Sequence, residues 1–249
     1  MSTRLSSWFV QIQGSQRDLE HLTEHFTLES SLVQHDEQSH GFVYESKAFS
    51  PCRTSEEVLK IADEHFLILS GIFKLVRESM ELLRSGAVYR TNEAGGRDIF
   101  VQLSEGAQMR AECGVLGTTV TDSQGNVVFM PPPAPRTTAL FKLAFSKPEL
   151  AKAMRLLSAP DAHSWVNLYR IYEVIEADIG GEHSLKTRGW GSSQDLKRFK
   201  HSANSVTVAG DAARHGKEQD QPPKNPMSID EARAYTNYLI EAWLASMAV

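Results

Sequence analysis

Met130-Pro131-Pro132-Pro133-Ala134-Pro135 divides this chain into two unlike halves. Four prolines in five residues cannot sit inside a helix and pair poorly in a central strand. The segment therefore predicts an extended, semi-rigid spacer over 131–136. It separates an N-terminal domain, 1–130, rich in short alternating runs, from a C-terminal domain, 137–249, whose apolar residues recur at helical spacing.

Upstream of the prolines, Trp8 to Gln13 reads as a strand, Arg17 to Phe26 as a helix, and Ser31 to Gln34 and Gly41 to Glu45 as two more strands. Thr54 and Glu57 form a T-x-x-E capping box, in which each side chain satisfies a backbone donor at the other's position. A long helix follows, carrying Val58, Ile61, Phe66, Leu69, Ile72, Leu75, Val76 and Leu82 and ending by Gly86. Ala87 to Thr91 and Asp98 to Leu103 pair across the turn-type EAGG. Further strands are expected at 109–116, 118–121 and 127–130. The order strand, helix, strand, strand, helix, strand resembles a split βαβ, ferredoxin-like sandwich. The predicted class is α+β.

Downstream, Thr137 to Ala144 is helical, and Pro148 opens a helix running to about Leu157. Asp161 to Ile179 carries Trp165, Leu168, Tyr169, Tyr172, Ile175 and Ile179 on one stripe, and Gly180-Gly181 stops it. Gln194 to Ala203 turns Leu196 and Phe199 inward and Lys197, Arg198 and Lys200 outward. Ser228 and Glu231 cap the last helix. The C-terminal half is expected to be an all-α bundle.

The chain has 249 residues and two cysteines, Cys52 and Cys113, without metal-site spacing. This suits a reducing, cytoplasmic setting and excludes a disulfide framework. No run of about 18 apolar residues predicts a membrane span, and the first residues do not read as a signal peptide. No cofactor is expected. Net charge is -5, but residues 136–249 carry 15 basic against 13 acidic side chains. Lys186, Arg188, Lys197, Arg198, Lys200, Arg214 and Lys217 crowd one segment, against Asp195 and Asp211. A basic patch in an acidic protein points to a phosphate-bearing partner or to a solvated helix face.

Two motifs bear on chemistry. His21-Leu22-Thr23-Glu24-His25 matches the H-x-x-E-H pattern of inverted zinc proteases, and two histidines four apart share a helix face. The pattern lacks a third ligand, so a surface pair of histidines is expected rather than a metal site. The second is Arg198 to Gly216, RFKHSANSVTVAGDAARHG, which gathers Arg198, His201, Asn204, Asp211, Arg214 and His215 between two amphipathic helices.

Residues 137 to 247 resemble HEPN-type helical domains, which occur in bacterial toxins, abortive-infection proteins and antiviral systems. Their R-N-x-x-x-H segment aligns with Gly210 to His215, followed by Gly216. Gly210 stands where the family has arginine and Asp211 where it has the polar partner, while Arg198 and His201 form a second Arg–His pair three apart. Ala203-Asn204 and Ala213 to Gly216 also resemble a group of bacterial proteins without a settled activity. The resemblance implies an RNA partner, a homodimer and metal-independent endoribonuclease chemistry. In that chemistry His215 serves as acid or base, Arg214 or Arg198 clamps phosphate, and Asp211 or Asn204 orients a side chain. The alternative is a non-catalytic HEPN-like assembly protein, in which Asp211 caps a helix, Asn204 closes a turn and the arginines serve ion pairs.

Overall fold

A computed structural model describes residues 6–26, 28–79, 81–101, 136–213 and 223–247. The expected strands at 109–130 and the proline spacer up to Pro135 lie outside these residues. The chain is α+β, a five-stranded antiparallel sheet followed by a mostly helical C-terminal half. The sheet is built from β1 (Trp8–Gln13), β2 (Ser31–Asp36), β3 (Gly41–Ser46), β4 (Arg84–Thr91) and β5 (Arg97–Phe100), in the order β2-β3-β1-β4-β5. α1 (Gln16–His25) joins β1 to β2, and α2 (Ser55–Arg77) joins β3 to β4. β2 includes His35 and Asp36, two residues beyond the expected end.

Strand alternation separates two faces. Trp8, Val10, Ile12, Val33, Tyr44 and Val88 enter the large core with the helices, whereas Phe9, Val43 and Tyr89 form a small cluster on the opposite face. Arg97 of β5 lies over the Phe9 ring and makes a bidentate pair with Asp36 of β2, both bonds at 2.7 Å. These are the two edge strands. In a flat sheet four inter-strand steps span about 19 Å, more than the two side chains reach together, so the sheet curls over its second face. The guanidinium holds the Asp36 carboxyl far below the ordinary carboxylate range.

α2 opens with the predicted capping box: Thr54 Oγ1 accepts from the Glu57 N–H, and Glu57 accepts from the Thr54 N–H. It stops at Arg77, earlier than the apolar pattern suggests, because Glu78 takes left-handed φ of 55° and its N–H bonds the Phe73 carbonyl. Ser70 Oγ then receives the Leu83 N–H at 2.9 Å, turning Leu83 inward ahead of β4. Gly86 consequently lies inside β4, beside Gln11, instead of ending a helix.

From His65 to Phe73 every residue of α2 but Leu67 is buried, as expected of a helix covered on all sides. One side meets the sheet. The other meets α3 (Arg136–Ser146) and α4 (Pro148–Ser158). A Cβ added to Gly71 would sit 1.9 Å from the Met154 carbonyl oxygen, so the two backbones touch. The apolar core is continuous from β1 to the last helix.

Beyond α4 come α5 (Trp165–Asp178), α6 (Glu182–Thr187), α7 (Ser193–Asn204), α8 (Val206–Ala209), a 3-10 turn at Gly210–Ala212, and α9 (Ile229–Ser246). α6 is absent from the sequence expectation, where Gly180-Gly181 simply ended a helix. Among the described residues no helix is long and apolar enough to cross a membrane.

Candidate functional site

The site is organised by the three faces of α7. Leu196, Phe199 and Ala203 are buried, and the Phe199 ring lies among Trp165, Tyr169, Tyr172 and Tyr235. This aromatic nest, with a Tyr169–Phe199 stack at 5.9 Å, fixes the rotation of the helix about its axis.

A second face binds the segment leading into α9. Arg198 Nε donates to the Asn225 carbonyl (3.3 Å), and Nη2 donates to the Pro226 carbonyl (3.2 Å) and to Glu231 Oε1 (3.1 Å). The Met227 N–H donates to Ser202 Oγ at 2.8 Å, and Met227 is buried. Arg198 is thus used as a clasp between α7 and α9.

The third face, with α6, forms a cleft of about 590 Å³ lined by Glu182, Lys186, Ser193, Lys197, Lys200, His201 and Asn204 among others. Lys197 is exposed, and no ion pair holds it among the described residues. Glu182 bridges the other two lysines: Oε1 lies 2.6 Å from Lys186 Nζ and Oε2 lies 2.8 Å from Lys200 Nζ. Hydrogen bonds from Lys186 and then Lys200 draw the Glu182 carboxyl down to about 2. Lys200 Nζ also sits 5.7 Å from the centre of the Tyr172 ring. Asn204, the last residue of α7, donates from Nδ2 to the Lys200 carbonyl (2.8 Å), while its buried Oδ1 accepts no hydrogen bond among the described residues.

Of the six residues singled out in the sequence, His201 and Asn204 line this cleft together. Arg198 and His201 share helical spacing, yet Arg198 faces the α9 segment. Asp211 stands exposed on the 3-10 turn and is not among the cleft residues. Arg214 and His215 lie outside the described residues. In the sequence Lys186, Lys197 and Lys200 stand out only by their charge. Glu182 is not among the residues the sequence singles out, although its i,i+4 spacing to Lys186 is the usual helical ion-pair register.

The H-x-x-E-H histidines are placed on α1 with ring centroids 4.8 Å apart. Arg77 Nη1 lies 3.1 Å from His21 Nδ1, and Arg77 Nε pairs with buried Asp18 at 3.3 Å. Burial first, and then the Arg77 charge, lowers the His21 pKa to about 4. A guanidinium, rather than a third ligand, stands against the pair. Among the described residues no three His, Cys, Asp or Glu side chains are grouped to hold a metal.

Comparison of the chain with protein-family models, with curated proteins and with solved structures finds no significant match.

Proposed function

We propose that this chain is an RNA-binding protein whose backbone-contacting surface is the α6–α7 cleft. The observation that carries this is the convergence of Lys186, Lys197 and Lys200 on one concave face with His201 and Asn204. Lysines in a groove track a phosphate backbone through charge alone. Asn204, at the end of α7, lines the same cleft, its Nδ2 tied to the Lys200 carbonyl. The HEPN resemblance of 137–247 points to the same class of ligand and to a homodimer. The split βαβ order of β1 to β4, with helices joining β1 to β2 and β3 to β4, supports a ferredoxin-like reading of the N-terminal half.

Binding is favoured over cleavage because Arg198, one of the two candidate phosphate clamps, is committed to Asn225, Pro226 and Glu231. One observation keeps a cleavage reading in play: His201 sits in the cleft beside Lys197 and Lys200, where a proton-transfer group is required,. A fluorescein-labelled oligouridylate titrated with wild type and Lys197→Ala tests the main reading. The expected result is salt-sensitive binding, weakened several-fold in the variant, with a salt slope shallower by about 0.7. Equal affinity of the two proteins, or binding indifferent to salt, sinks it. Incubating the same RNA with wild type, His201→Ala and His215→Ala in EDTA tests the second reading. Cleavage lost in either variant turns the conclusion from binding to catalysis.

A further inference from the structure

The cleft already contains an anion. Glu182 projects from the first turn of α6 and offers its two carboxylate oxygens to two different lysines, one on its own helix and one on α7. A carboxylate held this way presents the charge and the paired oxygens of a phosphate. With Glu182 in place, Lys197 is the one ammonium of the three not already matched among the described residues. The carboxylate is also accessible, with a side chain 36% exposed.

Two glycines with positive φ set where α6 begins. Gly180 and Gly181 take φ of 90° and 97°, and a Cβ at Gly181 would meet nothing within 4 Å. α6 is six residues long, with Leu185 its one buried residue.

We infer that Glu182 is a built-in competitor for the cleft, occupying the position of a ligand phosphate between Lys186 and Lys200 until RNA displaces it. This rests on the RNA-binding reading above. Glu182 sets a threshold: weak or short polyanions engage Lys197 alone, whereas a continuous backbone engages all three lysines and expels the carboxylate. The rival account is a structural tie between α6 and α7, which for exposed ion pairs stabilises only slightly.

The test compares wild type, Glu182→Gln, Glu182→Ala and Lys197→Ala on the labelled oligouridylate, with thermal unfolding of each. The expected result is roughly five-fold tighter binding by both Glu182 variants. Their salt slope should be steeper by about 0.7 for each phosphate gained, at nearly unchanged Tm. Unchanged or weaker binding by the Glu182 variants, while Lys197→Ala still loses affinity, overturns the competitor role and leaves RNA binding standing. A lowered Tm with no gain in affinity assigns Glu182 to structure and overturns it as well. No binding by wild type and by either Glu182 variant removes both proposals.

Discussion

His65 shows how one buried polar side chain sets the response of this fold to acid. It is 5% exposed, with Nδ1 2.7 Å from the Tyr44 hydroxyl and its ring edge against Phe141 and Phe145. Burial disfavours the imidazolium and lowers the pKa from 6.5 to about 4. In the unfolded chain the same residue takes up its proton near pH 6.5, so the stabilisation is complete above that value and is lost as pH falls toward 4. The loss by pH 4 is about 3 kcal/mol. His21, half-buried beside Arg77, titrates in the same direction. Urea unfolding at pH 7 and pH 4.5 should give a clearly smaller pH dependence for His65→Gln than for wild type. Equal dependence would mean that His65 is protonated within the fold. The Tyr44 and His65 partnership is invisible in sequence, because the residues are 21 apart and on different elements.

Among the elements, α7 carries the most distinct duties: core, clasp and cleft. Its periodicity revealed the core face, since Leu196 and Phe199 recur at helical spacing. It did not separate the other two, because Lys197, Arg198 and Lys200 look alike as charges and differ only in what stands opposite them. Arg198 meets two backbone carbonyls and Glu231, whereas Lys197 meets solvent. Arg198→Ala is therefore expected to lower stability by about 1–2 kcal/mol, through the lost charge-assisted hydrogen bonds, while leaving oligouridylate affinity within two-fold. Denaturant midpoints read beside the anisotropy titration check this. A large loss of affinity at full stability would instead return Arg198 to the role of phosphate clamp.

At the scale of the whole molecule, the contact of α2 with α3 and α4 decides how the halves behave. The proline run suggests two domains joined by a spacer. Leu140, Phe141, Leu150 and Met154, all after that run, belong to the same buried cluster as Val10 and Phe66 before it. Gly71 is the tightest point, with no room for a methyl group against the Met154 carbonyl. Gly71→Ala should cost about 3 kcal/mol or more, because backbone atoms cannot yield as a flexible side chain does. Amide exchange in the variant should accelerate in β1 and α5 alike. Acceleration confined to one side of residue 130 would show that the halves open independently.

The local rules were enough for most of the elements. Caps at Thr54 and Ser228, Pro148 at a helix start, strand alternation at Trp8–Gln13 and the aromatic stripe from Trp165 to Tyr172 all depend on neighbours within a turn or a pleat, and so they can be read from the chain. The end of α2 escaped because Glu78 leaves the helical region although the apolar pattern runs on, and α6 escaped because six residues carry too little periodicity. What ties these segments to the rest, Ser70 to the Leu83 N–H and Glu182 to Lys200, spans intervals that periodicity does not. The curl that brings Arg97 to Asp36 and the close approach at Gly71 depend on tertiary structure for the same reason. So does the partition of three adjacent-looking cations between clasp and cleft. In each case the deciding partner lies far away in sequence, and only packing brings it within reach.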